Sequence, residues 1–420
     1  MISVEEARSF VLPACLPLTP RQMAVDEALG CVLAREVVAG EPIPPFANSA
    51  MDGYAVRARD TTAAPSLLAV VGSVMAGQSP RVAVGEGEAV RIMTGAPLPP
   101  GADAVCMIER TRTQDDATVV VEVRVDAGTN VRHPGEDVAD GEEVFGAGSC
   151  LSPGHVGVLA ALGVETVLVH HRPVVGVLST GDELVERGGS LPPGKIRDSN
   201  RHALLAQVRQ SNFDAVDLGI VGDDAEELAV AFERGAARCD ALVTSGGVSV
   251  GDLDMVKVVL DKLSAGTMRW MQVAVKPGKP LAFGTVASGT PVFGLPGNPV
   301  AALVSFELFA RPGLRRMAGQ RRLDRPVLSG VAEVDLHRRS DGTLHLMRAT
   351  AVSDPGGAVL VRPSGGQGSH MLRAMAGANC LALLPDGPGV PAGGRVELLL
   401  LDADGLGPET AGFGLPEARS

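Results

Sequence analysis

The sequence predicts a multidomain protein of the α/β plus β class, built around a doubly wound, mostly parallel sheet. Apolar strands alternate with amphipathic helices between residues 173 and 318. Short strands separated by Gly and Pro turns fill residues 46–145 before this segment and residues 325–401 after it. Strand–helix alternation is typical of a parallel sheet covered by helices, whereas closely spaced short strands are typical of β-rich domains.

The N-terminal 40 residues have a helical pattern. Ser3, followed by Glu5, Glu6 and an apolar stripe, is typical of a capped helix start. The prolines within residues 42–45 then impose an extended hinge. After the β-rich segment, "SPGHVGVLAALGV" (152–164) predicts a short helix that begins at a Ser-Pro pair.

Four strands of the α/β segment are each followed by an unusual loop. These strands are "PVVGVLST", "AVDLGIV", "DALVTS" and "PVFGLP", and "PVVGVLST" is a solid apolar run of the kind that is buried on both faces. The last of the four precedes a long predicted helix, "PVAALVSFELFARPGLRRM". Residues 325–401 predict a small β-barrel or sandwich, and the Gly- and Pro-rich tail at 403–420 is predicted to be disordered.

Composition excludes several classes of partner. The chain has 420 residues, a net charge of −12 and only 3% aromatic residues, so it lacks the basic faces and stacking platforms that nucleic acids require. No apolar run reaches the roughly 18 residues of a membrane span, and no signal-peptide pattern begins the sequence. We therefore expect a cytoplasmic protein with no membrane partner. The cysteines and histidines match no zinc or iron motif.

The strand-end loops are rich in small and polar residues. The candidate binding residues among them are Ser179, Thr180, Gly181, Ser245, Gly246, Gly247, Ser249, Gly297 and Asn298. Ligands of parallel sheets bind at the carboxyl ends of strands, where glycine N–H groups and helix N-termini attract anions. An ordinary tight turn is the alternative for Gly246 and Gly247.

Acidic residues accompany these loops. Glu183 follows the first strand, Asp223 the second, and Asp252 closes "VTSGGVSVGD". A carboxylate does not bind an anion, but it holds a divalent cation such as Mg²⁺ that bridges to phosphate oxygens. Glycine loops with adjacent acids therefore predict a metal–phosphate site.

Two further stretches carry candidate residues. "VAVKPGKPLAFG" (273–284) places Lys276 and Lys279 around a rigid Pro-Gly turn, from which both ammonium groups can face one oxyanion. Solvated surface lysines are the alternative. Asp52 lies in the polar stretch "PPFANSAMDGYAVRARD", where a hairpin turn is the alternative, and Thr94 follows another strand.

Eight motifs in order resemble the molybdopterin molybdenumtransferase family, which includes MoeA and the gephyrin E domain. They are "PPFANSAMDGYAV", "MTGAPLPPGADAV", "PGED", "STGDEL", "IRDSN", "TSGGVSVGD", "VKPGKP" and "GLPGNPV". Each motif alone is weak, but eight in this order between residues 3 and 401 are specific. The resemblance implies a homodimer with its active site between subunits. The implied domains are residues 1–45 with 146–171, 46–145, 172–324 and 325–402.

The resemblance also implies a reaction. Molybdate is inserted into adenylyl-molybdopterin with the help of Mg²⁺, AMP is released, and molybdenum cofactor is formed. A separate molybdopterin adenylyltransferase would act upstream. One alternative is that this chain is itself such an adenylyltransferase, although those proteins lack the flanking β segments. The other is a non-catalytic scaffold related to gephyrin.

Motif by motif, the resemblance assigns roles to individual residues. It implies that the catalytic and metal-holding acids are Glu183, Asp223 and Asp252. The ligand-binding residues that it implies are Lys276, Lys279, Pro296, Pro299 and, by a looser match, Ser369. It implies that Asp52 and Thr94 act in the active site of the partner subunit.

Overall fold

The chain forms two compact units. A computed structural model describes residues 1–115, 117–248, 255–286 and 289–407. Unit 1 contains Met1–Arg21, Gly30–Val32 and the described residues from Val169 onward, and unit 2 contains Gln22–Leu29 and Leu33–Leu168. The predicted fold class is confirmed by the sheets of these units.

Unit 1 is built around a six-stranded mixed sheet. In spatial order its strands are Asp214–Val221, Val174–Thr180, Ala241–Ser245, Thr290–Leu295, Pro280–Val286 and Arg269–Gln272. The first four strands pair in parallel, and the last two are added by antiparallel pairing. The helices that accompany the sheet are Asn200–Gln210, Ala225–Ala236, Met255–Leu263 and the segment Pro299–Met317.

Both faces of this sheet are buried, as the solid apolar strands predict. Val243 belongs to a core cluster that includes Leu204 of one helix, whereas its neighbour Leu242 belongs to a second cluster that includes Phe232 and Leu260 of two others. Successive side chains of a strand point to opposite faces, so one strand supplies both cores. This arrangement leaves the strand ends as the place where polar residues reach solvent.

The first helix is shorter than the sequence pattern predicts. It spans Val4–Ala14 and begins with the predicted cap: Ser3 Oγ accepts from the Glu6 N–H at 3.0 Å, and Glu6 Oε2 accepts from the Ser3 N–H at 2.7 Å. The helical prediction for the remainder of the first 40 residues is wrong, because Pro17 and Pro20 cannot donate to a helix. The strands that follow are Arg21–Ala24, Val32–Leu33 and Val37–Val38.

This first helix packs within unit 1. Ala7, Val11 and Cys15 are fully buried in the same apolar cluster as Phe293 of the central sheet. The domain boundaries implied by the family resemblance remain predictions. Met1–Arg21 belongs to unit 1, whereas the resemblance groups these residues in a domain made of residues 1–45 and 146–171.

The long predicted helix is present, with one irregular turn. Pro299–Ser305 and Arg311–Met317 are α-helical, and Phe306–Ala310 between them is π-helical. Pro312 has no N–H for a regular helical bond, and a wider turn ahead of a proline accommodates this loss. Among the described residues, no helix has the length and apolar character that crossing a bilayer requires.

A closed five-stranded barrel completes unit 1. Its strands are Val327–Ala332, Leu344–Ser353, Val359–Pro363, Cys380–Leu384 and Arg395–Leu400. Pairing of Leu344–Ser353 with both Val359–Pro363 and Cys380–Leu384 closes the ring. The short strand Val275–Lys276 adds to the barrel by parallel pairing with Leu344 and His345. The sequence pattern was compatible with a barrel or a sandwich, and the structure shows a barrel.

The start of the predicted disordered tail is ordered. Asp404–Leu406 forms a 3₁₀ turn, and Asn379 Nδ2 donates to the Gly405 carbonyl at 2.8 Å. This hydrogen bond to the barrel explains the difference from the prediction. Residues 408–420 lie outside the described residues. Smaller elements of unit 1 are Leu184–Val185, Ile196–Arg197, Leu336–His337, Leu372–Ala376 and Gly389–Val390.

Unit 2 is mostly β, as predicted for residues 46–145. Its six-stranded sheet has the order Ala104–Met107, Gly53–Val56, Glu88–Ile92, Ser66–Val74, Thr118–Val121 and Thr111–Asp115. Further short strands of unit 2 are Asn48–Ser49, Val131–Arg132 and Glu143–Phe145, and the strand Thr166–His170 includes the boundary between the units at Leu168. The helix predicted at the Ser-Pro pair spans Pro153–Ala161.

A buried ion cluster attaches the long helical segment of unit 1 to the end of the barrel. The Glu307 carboxylate accepts from Arg325 Nε at 2.9 Å and Nη2 at 3.0 Å, and lies 3.8 Å from Arg311 Nε. Arg325 Nη1 donates to the Leu401 carbonyl at 2.9 Å. Because the Glu307 side chain is 1% exposed, its charge is compensated by protein groups instead of water.

Replacing Glu307 tests this attachment. Glu307→Ala leaves two guanidinium groups without their carboxylate, so we expect the free energy of unfolding to fall by about 3–5 kcal/mol. Urea unfolding followed by the fluorescence of Trp270, the single tryptophan, measures it within unit 1. Asp214→Ala is the control, since this carboxylate is 55% exposed and 3.7 Å from Arg172, and we expect a change within about 0.5 kcal/mol. Equal losses in both variants would contradict the proposed contribution of the buried cluster.

Candidate functional site

A cavity of about 1150 Å³ opens at the carboxyl ends of the parallel strands of unit 1. Residues that follow all four parallel strands line it, as expected for an open α/β sheet. From these loops, the sequence-predicted residues that line the cavity are Thr180, Gly181, Glu183, Asp223, Gly246, Gly247, Pro296, Gly297 and Asn298. The sheet therefore brings together loops that are widely separated in the sequence.

Further segments of unit 1 complete the wall. Lys276 and Lys279 come from the Pro-Gly turn, as the sequence predicts, and Ser369 comes from a barrel loop. Met1 and several other barrel-side residues also line the cavity, although they were not predicted from the sequence. These barrel residues are Asp341, Thr343, Gln367 and Gly368.

The other predicted site residues lie elsewhere. Ser179, Ser245 and Pro299 line a smaller cavity of about 270 Å³. It shares Thr180, Glu183, Gly246 and Gly297 with the larger one. Asp52 and Thr94 belong to unit 2. Ser249 and Asp252 lie outside the described residues.

The two adjacent glycines after Ala241–Ser245 are sterically required. Gly246 has φ +98°, and a Cβ there would lie 2.7 Å from the Thr180 carbonyl oxygen. Gly247 has φ +67°, and its Cβ would lie 2.2 Å from a Val256 methyl carbon. Backbone at these angles with no room for a side chain admits only glycine. The chain thus turns tightly here with its backbone at the cavity surface.

One side-chain amide ties two of the strand-end loops together. Asn200 Nδ2 donates to Ser245 Oγ and to the Gly297 carbonyl, each at 2.7 Å. Ser245 Oγ also lies 3.4 Å from the Pro296 carbonyl oxygen. Asn200 begins the helix Asn200–Gln210, so the start of this helix is joined to the loops that follow two neighbouring strands.

A buried charge network lies beside the smaller cavity. Ser179 Oγ donates to Asp198 Oδ1 at 3.0 Å, and Arg201 Nε donates to Asp198 Oδ2 at 2.9 Å. Arg201 also pairs with Asp217 and Glu186. Burial alone would raise the pKa of Asp217, but hydrogen bonds from Arg201 and a backbone N–H lower it overall. Asp198 and Asn200 both belong to the "IRDSN" motif, to which the sequence analysis assigned no role.

Two predicted acids reach the surface of the larger cavity. Glu183 and Asp223 are both exposed and line it. The Asp223 N–H donates to Asp182 Oδ1 at 3.1 Å, which joins the loops that carry the two acids. Carboxylate oxygens are the donors that Mg²⁺ prefers, so these side chains fit that cation. Within the described ranges no group of three potential ligands is assembled, and the third predicted acid, Asp252, lies outside those ranges.

The barrel contributes two charged groups. Lys276 Nζ lies 3.4 Å from Asp341 Oδ2. The Thr343 hydroxyl and His345 hold the pKa of Asp341 well below its usual range. Arg348 is 1% exposed, and its Nη2 donates to the carbonyls of Gly366 and Gly368 at 3.2 Å each. Burial lowers the pKa of Arg348, and no carboxylate in the described part of the chain forms an ion pair with it.

Asp52 and Thr94 form a close pair in unit 2. Asp52 Oδ1 accepts from both the N–H and the hydroxyl of Thr94, each at 2.7 Å. These two hydrogen bonds, the backbone one first, lower the pKa of Asp52. Both side chains are exposed, so an ionised carboxylate is presented at the surface.

Comparisons with known proteins cover nearly the whole chain. Residues 2–163 match the family model for the MoeA N-terminal region (domain I and II), residues 176–316 match a probable molybdopterin binding domain, and residues 331–401 match the MoeA C-terminal region (domain IV). The molybdopterin molybdenumtransferase of Haemophilus influenzae is 37% identical over 401 residues, covering 95% of this chain and 98% of that protein.

Further relatives agree. Molybdopterin molybdenumtransferase 2 of Mycobacterium tuberculosis is 39% identical over 400 residues, covering 92% of this chain and 96% of that protein. The crystal structure of a molybdopterin biosynthesis moeA protein from Pyrococcus horikoshii superposes with a TM-score of 0.79 at 28% identity, covering 95% of this chain and 100% of that one.

The Asp52–Thr94 pair makes a pH-dependent prediction. Thr94→Val removes the hydroxyl donor but keeps the N–H, so the ionised carboxylate loses one of two stabilising bonds and the pKa of Asp52 rises toward its ordinary value. Carboxyl-carbon NMR titration measures the shift to higher pH. Thr62→Val is the control, because the Thr62 hydroxyl donates to the Arg59 carbonyl instead of a carboxylate. An unchanged Asp52 midpoint in Thr94→Val would refute the assigned role of the hydroxyl.

Proposed function

The chain belongs to the molybdopterin molybdenumtransferase family, and we propose that it inserts molybdate into adenylyl-molybdopterin with release of AMP. The observation that carries this proposal is the cavity itself. In a chain of net charge −12, Lys276 and Lys279 are exposed in one cavity together with the glycine loops at the strand ends. Both substrates are anionic, and such an arrangement neutralises them locally.

Different residues of the cavity would bind different parts of the substrates. The two lysines attract the oxyanion, and the backbone at Gly246 and Gly247 approaches the phosphates without a side chain between them. Glu183 and Asp223, with Asp252 proposed as a third ligand, would hold Mg²⁺, which when bound neutralises phosphate charge. Water supplies the oxygen that splits the phosphoanhydride, so that AMP leaves and molybdopterin keeps its own phosphate. Positioning and electrostatic stabilisation are the main catalytic contributions to this step.

The barrel supports the anion end of this cavity. The Arg348 guanidinium lies beneath the loop that carries Gly366, Gly368 and Ser369, and its donors hold two of the loop carbonyls. The Val300 N–H donates to the Ser369 carbonyl at 3.1 Å, which joins the same loop to the start of the long helical segment. A positive group behind a fixed loop favours a dianion such as molybdate.

We further propose that the enzyme is a cytoplasmic homodimer in which Asp52 and Thr94 act in the cavity of the partner subunit. Their exposed, ionised pairing supports a role toward a ligand, and the family resemblance supplies the shared site. A separate molybdopterin adenylyltransferase would deliver the substrate. The adenylyltransferase alternative for this chain is less favoured, because the MoeA regions on both sides of the central domain match as well.

Release of AMP tests the reaction. The purified protein, incubated with adenylyl-molybdopterin, Mg²⁺ and molybdate, is expected to release AMP, and chromatography measures it. Lys276→Met and Lys279→Met are each expected to slow the release about 10- to 100-fold, since each removes a charge-assisted contact to an anion. Lys257→Met is the matched control, because this ammonium lies over the Trp270 ring at 5.8 Å and its residue does not line the cavity.

Each outcome separates the candidate functions. AMP release that requires molybdate supports the transferase. Consumption of ATP and molybdopterin with formation of pyrophosphate would instead identify an adenylyltransferase. Binding without turnover in any of these mixtures would indicate a scaffold. A Lys257→Met variant as impaired as the two cavity variants would show that the losses reflect general charge instead of the cavity.

Mixing two impaired variants tests the shared site. Asp52→Ala and Lys276→Ala are each expected to lose most of their activity, yet a mixed dimer would contain one site with both residues intact. We therefore expect partial recovery of AMP release, up to about a quarter of wild-type activity if subunits exchange randomly. Size-exclusion chromatography of differently tagged variants verifies exchange. No recovery from verified mixed dimers would contradict a site shared between subunits.

A further inference from the structure

A carboxylate on the barrel side of the cavity faces one of the two proposed anion-binding lysines. Asp341 and Lys276 both line the cavity, and Lys276 Nζ lies 3.4 Å from Asp341 Oδ2. Their side chains are 33% and 62% exposed, so a ligand can reach the pair. A negative group at this place is unexpected in a site that binds anions.

The carboxylate is held firmly by the barrel. Asp341 Oδ1 accepts from the Thr343 N–H at 3.2 Å, from Thr343 Oγ1 at 2.6 Å and from Arg338 Nη2 at 3.1 Å, and His345 Nε2 lies 3.0 Å from Oδ2. The Arg338 side chain is fully buried and also donates to Asp386 at 2.6 Å. Asp341 is therefore fixed in place by groups that favour its ionised form.

The lysine is held much less firmly. In the described ranges, Asp341 is the one side chain recorded as a hydrogen-bond or ion-pair partner of the Lys276 ammonium. Its backbone is anchored by the parallel pairing of Lys276 with His345, which leaves the side chain free to turn. The Arg338 charge is shared between two carboxylates, so Lys276 balances the charge of the cluster formed by Arg338, Asp341 and Asp386.

We propose that Asp341 is a resident counter-ion of Lys276, which competes with the incoming oxyanion for the lysine ammonium and lowers the affinity of the cavity for oxyanions. This inference rests on the proposed function, in which Lys276 binds an anion. An oxyanion that engages Lys276 must displace the ammonium from Asp341 and also approach a like charge. Both effects oppose binding, and both act through residues of this cavity.

The counter-ion has a functional consequence. Tight binding of an oxyanion in the ground state does not accelerate a reaction, and it slows exchange of ligands. Because Asp341 already pairs with Lys276, an oxyanion that binds weakly, such as free sulfate or phosphate, does not saturate this lysine. Asp341 therefore acts through Lys276 and lowers the affinity of the cavity for oxyanions in general.

Isothermal titration of the full chain with molybdate at constant ionic strength tests the inference. Asp341→Asn is expected to bind molybdate about three- to tenfold more tightly than wild type, because one exposed ion pair and one like-charge repulsion are removed. The gain is expected to vanish when Asp341→Asn is combined with Lys276→Met. Asp341→Glu, which keeps the charge, is expected to restore weak binding. Sulfate and phosphate are titrated in parallel and are expected to show the same gain.

Asp335→Asn is the matched control, since Asp335 is an exposed carboxylate near the barrel that neither lines the cavity nor contacts Arg338, Asp341 or Lys276. Its affinity is expected to equal that of wild type. Unchanged or weaker binding by Asp341→Asn, while wild type binds, would overturn the counter-ion. An equal gain with and without Lys276 would also overturn it, because the carboxylate would then act by its general field. Failure of wild type to bind molybdate at all would instead overturn the proposed function, and the inference with it.

Discussion

The site depends on keeping loops from neighbouring parallel strands at a fixed separation, and the Asn200 amide does this directly. Its two donors reach Ser245 and Gly297, so a single planar group spans the ends of two strands. A backbone as permissive as that of Gly246 and Gly247 would otherwise lose much conformational freedom on forming a defined surface. The amide limits that freedom before any ligand binds. The glycines can then bring the backbone close to a ligand while the loop keeps a defined conformation.

The charged groups at the cavity are also held in place by specific neighbours. An acidic protein gains an anion site only where a few cations are concentrated and their own counter-ions are controlled. Lys276 has its counter-ion within the cavity, whereas the guanidinium of Arg348 is satisfied by loop carbonyls and has no carboxylate partner in the described residues. One cation is thus partly neutralised and adjustable, and the other is constant and buried. The cavity wall also carries Lys279 and the acids Glu183 and Asp223, so its cations act as local binding groups within a mixed-charge surface.

The strand-end half of the cavity could be predicted from the sequence, whereas of the barrel half only Ser369 was predicted, through the family resemblance, and this difference has a physical reason. Parallel strands end at one edge of a sheet, so local patterns such as those around Gly246 and Gly297 were enough to bring their loops together. Asp341 reaches the cavity through the pairing of Val275–Lys276 with a barrel strand far along the chain, which no local period encodes. The Asp-Gly-Thr turn at 341–343 was visible, but it looked like any other turn. The prediction made the first helix too long, because it relied on the apolar stripe and neglected the prolines beyond residue 14.

The position of the N-terminus has a practical consequence. Ile2 pairs with Val273, its N–H donating to the Gln272 carbonyl at 2.9 Å, and Met1 lines the cavity. Any residues fused ahead of Met1 therefore begin at the cavity wall, a few residues from the lysine turn. An affinity tag placed there, above all a histidine tag that captures metals and anions, would compete with the ligands under study. Purification handles for this protein belong at the other end of the chain, or must be cleaved before binding is measured.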